Sequence, residues 1–131
     1  YLIVHDSGRA LDAEAVRRQI LGGVVQGLGG SLLERLVYDE TGQLLTASLM
    51  DYAVPRAEQV PPVEIVAVES PSPLNPLGLK GAGEGGCMGA YAVLASAVED
   101  ALSPSGFQVE SLPIDSQQIW RLLGRRAAVV R

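Results

Sequence analysis

Lys80-Gly81-Ala82-Gly83-Glu84-Gly85-Gly86 is a glycine-dense loop with one carboxylate at its centre, and an apolar helical pattern starts directly after it. Gly78, Gly81, Gly83, Gly85, Gly86 and Gly89 fall within twelve positions, and Glu84 is the only acidic residue between Glu69 and Glu99. Glycine loses more backbone freedom on folding than other residues, so such a cluster belongs where a backbone turns sharply or approaches something closely. Gly81-x-Gly83-x-x-Gly86 spells the dinucleotide fingerprint, which would make the fold a doubly wound parallel sheet. The flanks argue against it. That fingerprint needs a strand before the loop and a second parallel strand after the helix. Here Ser70-Pro71-Ser72-Pro73-Leu74-Asn75-Pro76 precedes the loop, an extended connector whose three prolines fix φ and remove donors. The helix then runs into Ser103-Pro104, and Glu84 would set a negative charge against the pyrophosphate. A dinucleotide-binding domain is the weaker alternative.

Outward from the loop, the chain reads as α+β, with two main helices packed on a small mixed β-sheet. Tyr1–His5 is a short strand stopped by Asp6-Ser7-Gly8, and Val63–Glu69 is a second strand. Val16, Ile20, Val24, Leu28, Leu32 and Leu36 recur every four residues, predicting a long helix over 12–36 with Asp12 as N-cap. Gly22, Gly23, Gly27, Gly29 and Gly30 lie in it, each costing ~1 kcal/mol relative to alanine. Close approach of another backbone or of a ligand would justify them; a break near Gly29-Gly30 is the alternative. Asp39–Gly42 is a turn leading into a strand-like Gln43–Leu49. A second helix spans Cys87–Leu102, ended by Ser103–Gly106. Asp115–Gln118 spells a capping box for a short helix to Leu123, with Gln118 reaching back and Trp120 packing the helix on the body.

At 131 residues the chain reads as a single domain or fragment, 1–131, large enough to bury a core. A net charge of -5 argues against nucleic-acid or anionic-membrane partners. No run approaches the ~18 apolar residues of a membrane span, and Tyr1–Val4 carries no signal-peptide pattern. The single cysteine suits a reducing, cytoplasmic compartment. An opening without methionine and few large aromatic anchors suggest a piece of something larger.

Two readings of Glu84 are open. One is a helix-start carboxylate stabilised by free amides and the macrodipole, worth ~0.3–1 kcal/mol. The other is a general base that glycines hold rigidly while letting a substrate or cofactor come close. Gln19 is likewise either a solvated helix residue or an amide donating to an oxygen-rich ligand beside the helix glycines. His5 and Cys87, distant in sequence, do not assemble a metal site. A Cys–His nucleophile pair is weaker than the reading of Cys87 as a small buried residue.

Taken together, these segments resemble the large subunit of the molybdenum hydroxylases, the family of xanthine dehydrogenase, aerobic carbon monoxide dehydrogenase and aldehyde oxidase. Gln19–Gly29 is similar to the family's glycine-rich cofactor helix, and Tyr38–Leu44 with Met50–Pro55 to the block that follows it. Asn75-Pro76-Leu77-Gly78-Leu79-Lys80-Gly81-Ala82-Gly83-Glu84 resembles the block with the catalytic glutamate, Ala97–Leu102 the closing helix and Leu112-Pro113-Ile114 the tail. The order is colinear, and closer to the carbon monoxide dehydrogenase- and aldehyde oxidase-like branch than to the purine-oxidising one. Arg18 stands where the pattern has glycine, and Leu11-Asp12 where it has Asn-Pro.

The resemblance implies the C-terminal segment of a molybdopterin-binding domain. Glu84 would be the catalytic base beside molybdenum, with Gln19, Lys80, Gly83 and Gly85 as cofactor-binding residues and no metal ligand from the chain. Gly22–Gly27 would let the helix approach the pterin. It implies molybdopterin (the molybdenum cofactor) in the complete enzyme, and iron–sulfur centres and FAD on partner chains or domains. The expected partners are the remainder of the large subunit, an iron–sulfur subunit, an FAD-binding subunit and a small-molecule substrate. The isolated chain is expected to be inactive. A non-catalytic structural or assembly fragment is the alternative.

Overall fold

The β-prone run at the N-terminus follows its propensity and forms strand β1 (Leu2–Asp6), which pairs in parallel with β2 (Glu64–Val68). The register sets Leu2 opposite Glu64 and Asp6 opposite Val68. The small sheet is this two-stranded parallel ladder. Parallel strands need a long crossover, and helix α1 (Ala13–Leu32) lies within it. Alternation gives the ladder two faces: Leu2, Val4, Val66 and Val68 are exposed, whereas Ile3, His5 and Ile65 are partly covered. His5, Ile65 and Ala67 line one apolar cleft with Val16 and Ile20 of α1.

This computed structural model describes residues 1–129, excluding the side chains of 118, 122 and 125–129. The remaining α-helices among the described residues are α2 (Gly85–Met88), α3 (Ala90–Ala101) and α4 (Ser116–Val129), and 3-10 turns lie at Ala57–Gln59 and Ser103–Ser105. Two compact units result. One holds Tyr1–Gly27 and Pro55–Ala90; the other holds Leu28–Val54 and the chain from Tyr91 onward. The first buries Ile20, Val24, Cys87 and Ala90, and the second Leu28, Phe107 and Ile114.

Asp12 caps α1 as its position predicts: Oδ1 accepts from the Ala15 amide at 2.8 Å. The helix runs unbroken past Gly29-Gly30 and stops at Leu32, four residues before the predicted end. The amides of Leu33 and Glu34 both donate to the Gly29 carbonyl, closing the last turn. Thr46 Oγ1 then accepts from the Val37 amide and donates to the Arg35 carbonyl, drawing 35–37 out of helical geometry.

The predicted turn at Asp39–Gly42 forms around Asp39 Oδ1, which accepts from the amides of Thr41 and Gln43 at 2.8 and 3.0 Å. The strand expected at Gln43–Leu49 does not form; only an isolated bridge, Tyr38 to Leu44, is present. A lone hairpin in water is marginal, and no third strand joins this one among the described residues. The second predicted helix is divided at Gly89 into α2 and α3. In α4, Asp115 Oδ1 caps the Gln117 amide at 2.8 Å, and the helix extends beyond Leu123. The Gln118 side chain of the predicted capping box lies outside the described residues. Trp120 is 74% exposed and does not anchor α4, a correction to the sequence reading.

Candidate functional site

The loop that carries Glu84 is attached to its own unit at three places. The first is the end of β1. Lys80 Nζ donates to Asp6 Oδ2 at 2.6 Å, and Asp6 Oδ1 accepts from the amides of Gly8 (2.8 Å) and Ser70 (3.1 Å). The Lys80 amide donates to the Ser7 carbonyl and the Arg9 amide to the Gly78 carbonyl, both at 2.9 Å. This crossing requires glycine at position 8: φ is +67°, and a Cβ there would lie 2.2 Å from the Gly78 oxygen. Asn75 closes the preceding connector by exchanging two hydrogen bonds with the backbone of Leu79.

The Lys80 ammonium beside Asp6, followed by the two amides, lowers its carboxyl from the ordinary 3.8 to about 2. A carboxylate with a depressed folded pKa stabilises above its unfolded value, and that contribution disappears as pH falls through the folded value. The β1–loop attachment is therefore expected to be constant at neutral pH and to weaken between pH 3.8 and about 2. Side-chain carboxyl NMR titration of Asp6 checks this; a midpoint at or above 3.8 would contradict it.

The second attachment spans 64 positions: Gln19 Nε2 donates to the Gly83 carbonyl at 2.8 Å. At the third, Gly85 and Gly86 abut other parts of the unit. A Cβ on Gly86 would lie 2.0 Å from the Ile20 carbonyl oxygen, and one on Gly85 would lie 2.3 Å from His5 Cε1. Gly81 and Gly83 differ: a Cβ on either would meet nothing within 4 Å. One flank of the loop is thus locked by the protein and the other is open.

Glu84 sits between these attachments with φ -116° and ψ 13°, and its carbonyl accepts from the Cys87 and Met88 amides. Its side chain is exposed and makes no capping hydrogen bond to α2. The capping form of the helix-start explanation is therefore not realised. A rigidly mounted, uncommitted carboxylate is an arrangement suited to accepting a proton from something brought to it.

The five predicted site residues therefore fall in one unit, and hydrogen bonding or chain adjacency links Gln19, Gly83, Glu84 and Gly85. Lys80 is placed with them, its ammonium engaged by Asp6. The account of the helix glycines needs correction. Cβ atoms on Gly23 and Gly27 would meet Cys87 N at 2.9 Å and Ala90 Cβ at 2.4 Å, so protein, rather than a pterin, occupies that space. Gly22 alone of the three faces open space. Sequence reasoning also missed Asp6 and His5 as partners of the loop, because no local pattern signals a contact across some eighty residues. Among the described residues no group of three His, Cys, Asp or Glu could hold a metal ion, and no helix is long and apolar enough to cross a membrane.

This geometry, hydrogen-bonding amides and an open glycine flank around one carboxylate, suits an organic ligand. Residues 1–61 match the model of the molybdopterin cofactor-binding domain. The chain is 43% identical over 118 residues to the nicotine 6-hydroxylase large subunit of Paenarthrobacter nicotinovorans, covering 90% of this chain and 14% of that protein. It is 30% identical to the carbon monoxide dehydrogenase large chain of Hydrogenophaga pseudoflava, covering 94% and 15%. The solved quinoline 2-oxidoreductase of Pseudomonas putida 86 superposes with a TM-score of 0.88 at 41% identity, covering 94% and 16%. Over most of its own length the chain thus matches one part of the large subunits of molybdenum hydroxylases. It spans about one-seventh of the length of the relatives it matches.

Proposed function

We propose that this chain is the C-terminal segment of the molybdopterin-binding domain in the catalytic subunit of a molybdenum hydroxylase, with Glu84 as general base. The observation that carries this reading is the exposed, uncapped Glu84 side chain on a loop fixed at three places. The residues present fit the cofactor. Beside Glu84, Gly81 and Gly83 leave open space where any side chain would intrude, and the amide oxygen of Gln19 accepts no hydrogen bond from the described residues.

Bound molybdopterin supplies oxygen transfer to a substrate carbon and two-electron redox chemistry. The chain's own contribution is positional and acid–base. Gln19 holds the Gly83 carbonyl with one amide hydrogen and keeps its oxygen for the cofactor. Gly83 admits the cofactor against bare backbone, and Gly85 keeps the turn after Glu84 tight. Lys80 acts through the loop, because its ammonium is engaged by Asp6. Glu84 would accept a proton at its carboxylate and return it to solvent or product.

The remainder of the large subunit would supply the other walls of the site. Iron–sulfur and FAD-binding subunits would take the electrons onward, and the assembly would work in the cytoplasm. The substrate is a small molecule, and nicotine and quinoline, named in relatives above 40% identity, direct the search to nitrogen heteroaromatic rings. Purified complete enzyme should reduce an artificial electron acceptor with such a ring faster than with carbon monoxide or an aldehyde; the reverse order would restore the carbon monoxide dehydrogenase- or aldehyde oxidase-like branch. The chain expressed alone should contain no stoichiometric molybdenum on metal analysis. Stoichiometric metal would overturn the claim that the cradle is shared with other segments.

A further inference from the structure

His5 lies on the partly covered face of the ladder, opposite Ala67 in register, a side chain too small to displace it. Its ring edge is directed at Gly85: a methyl built there would fall 2.3 Å from Cε1, 2.8 Å from Nδ1 and 3.3 Å from Nε2. Nε2 is buried without a hydrogen-bond partner. A buried polar atom left unpaired costs about 1–3 kcal/mol, so hydrogen bonding does not explain the ring's position. Its fit against Gly85 does.

We infer that His5 is a positioning residue, whose imidazole is a backstop fixing Gly85 and, through the adjoining peptide, the direction of Glu84. This rests on the reading of Glu84 as general base. Strand pairing makes the backstop stiff, because β1 is hydrogen-bonded to β2 along its length. Asp6, the next residue, fixes the start of the same loop through Lys80. Adjacent residues of one strand thus hold both ends of the segment that carries the carboxylate, leaving it little freedom. The glycine at 85 is then required by the ring, not by a ligand.

The test is a cycle of Gly85→Ala, His5→Ala and the double variant in the complete enzyme. Turnover and amide hydrogen exchange over residues 81–88 are the two readouts. Gly85→Ala should lower kcat about 10- to 100-fold at nearly constant KM, the effect of misplacing a catalytic group by roughly 1 Å. It should also speed exchange. Adding His5→Ala should recover kcat at least about 5-fold over Gly85→Ala and slow the exchange again, because the new methyl takes space that the ring vacated; such non-additivity is the mark of groups in contact. A double variant no better than Gly85→Ala in both readouts overturns the inference.

If Gly85→Ala does not fold, His5→Ala alone decides. Faster exchange at 83–86 with unchanged molybdenum content supports the backstop, and unchanged exchange refutes it. Exchange does not depend on the chemistry of Glu84. A normal exchange cycle with a dead Glu84→Gln enzyme therefore sinks this inference and leaves the base. A coupled cycle with an active Glu84→Gln enzyme sinks the base.

Discussion

Glu84→Gln in the complete enzyme is expected to lower kcat at least about 100-fold, the usual range for loss of a positioned general base, while molybdenum and pterin contents stay unchanged. Glutamine keeps the shape of the side chain and removes its basicity. None of the interactions that hold the loop uses the Glu84 side chain. Lys80 binds Asp6, Gln19 binds the Gly83 carbonyl, and Gly85 and Gly86 are held by van der Waals contact. The substitution should therefore leave the loop and the cradle intact, and the loss should appear in kcat with little change in KM. Steady-state kinetics with metal and pterin analysis of the same preparation would settle it. Turnover within about twofold of the parent enzyme, at equal cofactor content, would reject Glu84 as base and favour a structural or assembly role.

Gly86→Ala is expected to have the next largest effect, on folding and cofactor retention. A methyl at this position would lie 2.0 Å from the Ile20 oxygen, 2.9 Å from the Ile20 carbonyl carbon and 3.0 Å from the Val24 nitrogen. These are backbone atoms in the interior of α1, at residues 0% and 1% exposed, so nothing can rotate aside. A carbon–oxygen contact relaxes at roughly 3.3 Å or more, which requires α1 and α2 to separate by more than about 1 Å. Overpacking a tight core costs about 1–3 kcal/mol and occasionally more. Separation would also shift Glu84, two residues before the clash, away from Gln19. Lower yield, a lower melting temperature and sub-stoichiometric molybdenum in the complete large subunit are the expected results. Gly81→Ala is the contrasting variant, since its methyl enters open space and should leave the melting temperature unchanged. Equal melting temperatures and metal contents for the Gly86→Ala variant and the parent would show that the two helices are not held as closely as described.

Where local chemistry dominates, the sequence was legible. The Asp12 cap, the Asp39 turn and the apolar stripe of α1, which repeats every four residues, each arise from interactions within a few residues, and each forms as expected; the two strands were legible from their β-prone composition, although their pairing is long-range. Expectations failed where distant contacts outweighed local preference. Leu36 continues the helical stripe, yet Thr46 draws that segment into the next turn. Gln43–Leu49 has strand-like composition but lacks a neighbouring strand among the described residues. Trp120 has the size of an anchor, but its ring is exposed.

The glycine loop shows the same division. Composition and order, including a resemblance that extends along most of the chain, were enough to single out Glu84, Gln19 and the surrounding glycines as candidates for a site and to set aside the dinucleotide reading. Those features are local, or colinear with a family pattern, and a sequence displays them directly. The separate reasons for the glycines were not visible. Gly23 and Gly86 serve the approach of α1 to α2, Gly85 makes room for His5, and Gly81 and Gly83 keep one flank open. Whether a missing side chain makes room for a backbone, a ring or a ligand depends on what lies opposite, and only the tertiary structure brings residues eighty positions apart to within a few ångströms.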